Sequence, residues 1–454
     1  MWFFGLVKNI RGLKALLAAG ILLYIPLPAH AEDGPLRLGP NEAVELAIRN
    51  NLGLEAARVS AASARRASGL TWNQFVPALD VGGALFRQNT PPEMFPQWGL
   101  AGSLSATLDF NVAIFEEMRQ VRLAYEGGLI SYRMARAQLE RDIRKAYHNI
   151  LLLKENIALL HGSLENAERQ VQIAQSNFTV GLASELTLLQ AQVARENLRP
   201  VIDQAEGGLR LSLMQFAMFL GLPHDTGFEL KPVATGVSTV PLDTAELIAR
   251  AAAGQPDVQA LRQDILIMNS IRQSSRLRLF TPTLFLGWNA DPAFGGDPWE
   301  DDLFERDRWR QQTGSLSFSV GFRLNGLLPF LAERQGIRSL EDQIRMANIG
   351  LAQMIRGTEI EIHNLVLTLE RIQVSMEALR QTVVLAERSF QLAEQAYRAG
   401  MADLFQVQNA ELSLRQARVQ LNEQQFNYLN SLLDLEYALG IPFGTLVPAE
   451  NGNP

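Results

Sequence analysis

The sequence predicts a mainly helical chain of long antiparallel hairpins, joined to four strands that close a barrel only if several chains assemble. Three observations predict this. Residues Arg169–Pro223 and Arg388–Pro442 align without a gap at a constant offset of 219, with Gly181 on Gly400, Ala191 on Ala410, and Leu220-Gly221 and Pro223 on Leu439-Gly440 and Pro442. An internal duplication of this size means that each half is one structural unit repeated in space. Four segments alternate apolar and polar residues with period two, the pattern of a strand. Finally, no proline interrupts Ala113–Val180 or Leu331–Ala399, so each can run as one helix of ~100 Å.

The N-terminus reads as a secretory signal occupying residues 1–31. Lys8, Arg11 and Lys14 precede the apolar stretch Ala15–Ile25, and Pro28-Ala29-His30-Ala31 gives an A-x-A cleavage site. The apolar run is too short for a comfortable membrane span. Its removal takes away three basic and no acidic residues, moving the net charge from −7 to −10. An exported acidic chain is a poor partner for nucleic acid. There is no cysteine, which excludes disulfides, thiolate chemistry and lipid attachment at the cleavage site. No later apolar run is long enough for a transmembrane helix.

Two repeats follow, 32–241 and 242–454. Each opens with a short helix: Leu38–Arg58 resembles Leu242–Arg262. A strand pair comes next, within 75–112 and 280–325. In Leu100–Phe110, Leu104 and Leu108 lie on an apolar face opposite Ser103, Ser105 and Thr107. In Gly314–Leu324, Phe318 and Phe322 oppose Ser315, Ser317 and Ser319. The partners Ala78–Phe86 and Thr283–Asn289 each follow a proline, and the loop Asp291–Gln312 absorbs most of the slack between the halves. Strands of ~9–11 residues are long enough to cross a bilayer when tilted; the competing reading is a soluble sheet with one buried face.

The return helices are shorter, ~55 Å. In the second, Val407, Ala410, Leu414, Ala417, Leu421, Tyr428, Leu432, Leu435 and Leu439 recur at three- and four-residue steps, a coiled-coil seam with one stutter at Gln425. Each long helix therefore pairs with its return helix over about half its length. The short helix of the next half must cover much of the rest, with Pro223–Pro241 at the mid-height break. Four strands cannot close a barrel, and an open edge is not tolerated in lipid. Assembly of several copies into one tube satisfies both the sheet and the helices.

Taken in order and twice over, these elements resemble the TolC family of outer-membrane efflux channels. The opening LGPNEAVELAIRNN, the proline-led strands, and the tips Phe178-x-x-Gly181 and Tyr397-x-x-Gly400 carry the resemblance over essentially the whole chain after the signal. It implies a homotrimer with a twelve-stranded barrel among outer-membrane lipid and a helical tunnel in the periplasm. It also implies tips docked on a periplasmic adaptor (membrane fusion) protein coupled to an inner-membrane pump, with no cofactor. Gly181, Leu182, Ala183 and Ser184, with Gly400, Met401, Ala402 and Asp403, are the expected adaptor contacts. Ser184 and Asp403 are expected to cap the return helices. Well-known members carry two aspartates one turn apart past the second tip, forming an acidic ring; here Gln406 and Asn409 stand there, with Glu185 nearer the first bend as a further pore candidate.

The competing classes are a periplasmic coiled-coil adaptor or scaffold, which would lack the two amphipathic strand pairs, and an enzyme. His148, His161, His224 and His363 show no i, i+4 pairing of the kind zinc sites use. His148-Asn149 and His363-Asn364 read as matching points of the repeat. No phosphate loop or nucleophile elbow is present, so no enzyme is expected.

Overall fold

Residues 35–89, 97–233, 244–324, 328 and 330–446 are described by the computed structural model; the signal segment and residues 234–241 of the mid-height segment lie outside them. Strand β1 (Leu36–Leu38) leads into helices α1 (Pro40–Asn50) and α2 (Leu52–Gly69). Strands β2 (Ala78–Arg87) and β3 (Trp98–Asn111) then feed the 67-residue helix α3 (Ala113–Thr179), and α4 (Glu185–Leu220) returns. The second half repeats this with β4 (Phe228–Leu230), α5 (Thr244–Gly254), α6 (Pro256–Phe280), β5 (Thr283–Phe294), β6 (Trp309–Gly321), α7 (Ala332–Arg398) and α8 (Leu404–Leu439). Both ends of α7 lie 219 residues beyond those of α3, and both ends of α8 the same distance beyond those of α4. With that offset, Leu367 is the counterpart of His148, and His363 that of Arg144, so the two His-Asn pairs are not matching points.

Where the sequence predicts one short helix per half, the structure has two. Asn51 breaks the first with an extended backbone; its side chain accepts from Leu54 N–H at 3.0 Å and donates to the Phe219 carbonyl at 2.9 Å. Gln255 breaks the second because Pro256, with no N–H, starts α6. Return helices end on these breaks. Gly221 and Gly440 are left-handed (φ 68° and 65°), and a Cβ on them would lie 2.3 Å from the Asn50 carbonyl and 2.4 Å from the Gly254 carbonyl.

The helices lie in two rows. Near the strands the order is α2–α3–α6–α7, and near the tips it is α4–α3–α8–α7. The short helix of the second half, α6, does cover α3 as expected, while α2 of the same half covers the opposite flank. In α8 the predicted seam is inside: Val407, Leu414, Ala417, Tyr428, Leu432, Leu435 and Leu439 are buried, with Gln425 half-buried at the stutter. An unanticipated feature joins the rows at mid-height, where β1 and β4 pair in parallel. Leu38, Phe228 and Leu230 face the core with Phe216 and Tyr147. The Tyr147 hydroxyl lies 2.9 and 2.6 Å from the carbonyls of Leu38 and Lys231, and burial pushes its pKa up to about 12.

The other sheet is antiparallel, ordered β2–β3–β5–β6. Its strands β2 and β5 begin directly after Pro77 and Pro282. β5 runs past the predicted Asn289 to Phe294, taking Pro292 in by a register shift between Asp291 and Pro292. β6 stops at Gly321, whose partner Thr283 is the first residue of β5. Pro282 cannot extend the ladder, so Phe322, expected within the strand, sits just beyond it.

The two classes of glycine separate experimentally. Gly400 has φ 73° but no atom within 4 Å of a built Cβ, so Gly400→Ala should cost only the left-handed conformation, ~1–2 kcal/mol. Gly440→Ala adds a backbone clash and should cost more, shown by a clearly larger drop in the thermal unfolding midpoint of the purified protein. Equal drops would mean that the mid-height contact contributes nothing.

Candidate functional site

The four-stranded sheet is the first functional surface. Register places Val81, Leu104 and Ala290 in one row, and Leu108, Leu286 and Phe318 in another, on a single apolar face. Ser105 aligns with Asp80 and Asn289, and Ser317 with Gly287, on the other face. Nothing in the described chain packs on the apolar face: Val81, Phe318 and Leu316 are 78, 69 and 75% exposed. A soluble sheet would bury one side; this one leaves apolar side chains open on β2, β5 and β6, with those of β3 half-buried between its neighbours. Aromatic residues flank the band. Phe75, Phe110 and Phe115 cluster at the helix end, and Trp98 meets Trp299 edge-on at the far end. Phe110 to Trp98 spans ~40 Å of strand, or ~30 Å when tilted, the thickness of a bilayer core with its girdles.

The tips are the second surface, at the opposite end of the helices. Gly181 and Gly400 take φ 74° and 73°, and the amides of Leu182 and Met401 reach back to the carbonyls of Asn177 and Ala396 at 2.8 Å. This is the left-handed close that glycine allows without a Cβ penalty. Ser184 Oγ accepts from Thr187 N–H at 3.2 Å and Asp403 Oδ1 from Gln406 N–H at 2.9 Å, so both predicted caps form. Leu182 and Met401 project outward, Ala183 and Ala402 are half-buried beside them, and Glu185 is exposed. Beneath the tips, Ala174, Leu188, Ala191, Tyr397, Leu404 and Val407 form one buried cluster that holds the two hairpins together.

Gln406 and Asn409 lie one turn apart on the exposed side of α8, beside the buried Leu404 and Val407. Neither is covered by another described helix of the chain. The Asp403 carboxylate beside them is engaged as the cap of α8.

Sequence reading missed a third feature, the polar seam between the hairpins along α3 and α8. Asn166 and Gln170 donate to Glu411 at 3.3 and 3.2 Å, His148 meets Asn430 at 3.0 Å, and Lys145 meets Asp434 at 2.7 Å. Burial pushes the Glu411 carboxyl pKa up, opposed by its hydrogen bonds to Asn166, Ser163 and Gln170 and by the Arg415 charge. Burial likewise lowers the pKa of His148, opposed by its bond to Asn430 and reinforced by the Arg144 charge. The polar side chains were visible in the sequence, but only the contact of α3 with α8 brings them together. Among the described residues no group of acidic or histidine side chains is placed to hold a metal.

Residues 43–221 and 304–441 match the family model described as outer membrane efflux protein. The chain belongs to this family. It is 22% identical over 348 residues to Nodulation protein T of Rhizobium leguminosarum bv. trifolii, covering 74% of this chain and 71% of that protein. It is 22% identical over 424 residues to the probable efflux pump outer membrane protein TtgC of Pseudomonas putida, covering 88% and 82%. The fold is that of the Campylobacter jejuni CmeC outer membrane channel, with a TM-score of 0.70 at 18% identity over 88% of this chain and 85% of that one. This efflux protein is thus an outer-membrane exit channel with a long periplasmic helical extension, and its family is one of channels.

Proposed function

We propose that three copies of this efflux protein close one twelve-stranded barrel in the outer membrane and one helical tunnel below it. The tunnel tips dock on a periplasmic adaptor that is coupled to an inner-membrane pump. The observation that carries the reading is the sheet: four strands, an open apolar face, and edges at β2 and β6 that no strand of the described chain pairs. Such edges are excluded from lipid, and joining β6 of one copy to β2 of the next removes them. Three copies supply an even strand number in the range of outer-membrane barrels. In this arrangement Leu104, Leu108 and Phe318 face lipid, while Ser105, Thr107, Ser317 and Ser319 face the lumen. Phe322 lies one residue beyond β6, at the periplasmic end of the sheet, the end that also carries the Phe75–Phe110–Phe115 cluster. Phe318→Arg near mid-membrane should cost ~2–4 kcal/mol per chain and reduce heat-resistant oligomer in membrane extracts; Ser317→Arg should not. The reverse result would show that the faces are exchanged.

The tips support the docking half of the proposal. Two copies of one bend, each with small residues and one projecting apolar side chain, offer a partner helix close approach. Bulky residues at Ala183 or Ala402 should leave the oligomer intact while export stops, and photo-crosslinkers at Leu182 and Met401 should capture the adaptor. Capture only from the mid-height residues near Phe228 would refute docking at the tips.

The entrance differs from an acidic ring. With Gln406 and Asn409 turned to the lumen, three chains present six amides where carboxylates would focus a cation-attracting field. Hydrogen bonds and packing, rather than a charged ring, then hold the entrance closed. Planar-bilayer recordings should show weak cation selectivity and little block by multivalent cations. Asp at both Gln406 and Asn409 should create that block. Strong block in the unmodified channel would assign the role to another acidic ring, with Glu185 the nearest candidate.

A further inference from the structure

Duplication makes the chain a template for its own assembly. Within one copy, α3 of the first hairpin lies against α8 of the second. Helix α7 is the second copy of α3, and it ends the row α4–α3–α8–α7, so its outer flank has no such neighbour within the described chain. Helix α4 is the first copy of α8, and it ends the row on the other side. Applying the 219-residue offset to each observed α3–α8 contact gives the contact that α7 would make with α4 of another copy.

The translated contacts change character. The pair His148–Asn430, 3.0 Å apart, becomes Leu367–Leu211. The guanidinium of Arg141, 4.5 Å from the centre of the Tyr437 ring, becomes Ile360 over Met218. The ion pair Lys145–Asp434 becomes the uncharged Asn364–Gln215, and Asn166–Glu411 becomes Leu385–Gln192, which loses the carboxylate. Leu367, Leu211, Ile360 and Met218 are 60, 57, 62 and 67% exposed in the single chain. Large apolar side chains left open in matching positions on two helices call for a cover, and the offset pairs them with each other. In these four pairs each charge is absent from its translated position, and two of the pairs become wholly apolar where copies meet.

We propose that α7 of each copy docks on α4 of the next in this register, with Leu367 on Leu211 and Ile360 on Met218. The occupant of the exposed α4 and α7 faces is a second copy of this chain. The inference rests on the trimeric reading and adds to it a residue-level interface.

The absence of cysteine makes the test clean. The double variants Leu211→Cys/Leu367→Cys and Ile360→Cys/Met218→Cys should give covalent dimers and trimers with a short bis-maleimide in outer-membrane vesicles. Either single variant should give neither. Leu211→Cys/Leu385→Cys should stay uncrosslinked, because the register sets those positions ~27 Å apart along the helices. A second measurement does not depend on crosslinking. Ile360→Arg alone should abolish the heat-resistant oligomer, and adding Met218→Tyr, which rebuilds the internal Arg141–Tyr437 pair between copies, should restore it. An intact oligomer without the Leu211–Leu367 crosslink, or with the Leu211–Leu385 one, overturns the register while leaving the trimer standing. An unmodified chain that is monomeric in the membrane overturns both.

Discussion

An unpaired backbone N–H or C=O in hydrocarbon costs several kcal/mol, and that penalty shapes everything above it in this chain. Strands β2 and β6 each present a free edge, and the sheet between them has no described layer packed on either side. Isolated in water the sheet would be an aggregation site; isolated in lipid it could not exist. Only edge-to-edge closure with other copies removes the penalty. The closed strands then fix how many long helices descend from them and how far apart these start. The helices inherit a ring rather than a bundle, which is why two 67-residue helices in one chain share no compact core and instead stand side by side with α6 and α8 between them.

A ring of that kind has a packing problem at mid-height. α3 and α7 run through unbroken, but the helices flanking them must stop and restart, which leaves helix ends inside the wall. Ends buried without partners are costly. The left-handed Gly221 and Gly440 close the return helices directly against Asn50 and Gly254, too near for any Cβ. The side chain of Asn51 serves both ends at once, accepting from α2 and donating to the last turn of α4. β1 and β4 then cover one junction, while in the second half the buried Glu436 accepts from the amides of Gly444 and Leu446. The two repeats thus solve one problem with different chemistry, a short parallel strand pair in the first and a buried carboxylate in the second.

Features that depend on local backbone chemistry or on a period were legible in the sequence. The tips, their caps, the return-helix seam and the two faces of the sheet all follow from glycine, Ser/Asp capping or alternation, each readable in a window of a few residues. What was not legible depends on residues far apart. Three-residue strands β1 and β4 are too short to show a period, and they exist only because Tyr147 and Phe216 offer a surface to cover. The break at Asn51 reads as an ordinary helical asparagine until Phe219 and Gly221 are placed beside it. The end of β6 at Gly321 is set by Pro282 on its partner strand. Pairing His148 with His363 failed because a shared dipeptide is weaker evidence than a constant offset along a helix.

The contrast between the seams follows from how each is held. α3 and α8 belong to one chain, so bringing them together carries no translational or rotational entropy of association. A seam of that kind tolerates His148–Asn430, Lys145–Asp434 and the hydrogen-bonded cluster of Asn166 and Gln170 around Glu411. Their net contribution is small, since desolvation cancels most of the attraction. A seam between separate copies must offset several kcal/mol of lost freedom before it holds at all. Buried apolar area supplies that at ~25 cal/mol per Å² without depending on salt or pH, whereas surface ion pairs weaken as ionic strength rises. Replacing His148 by Leu367, Asn430 by Leu211 and Arg141 by Ile360 in the duplicated positions is therefore the direction that physics requires. Of the two seams in the wall, the one within each copy is the more readily loosened, because water can take over the hydrogen bonds of its polar pairs as they separate.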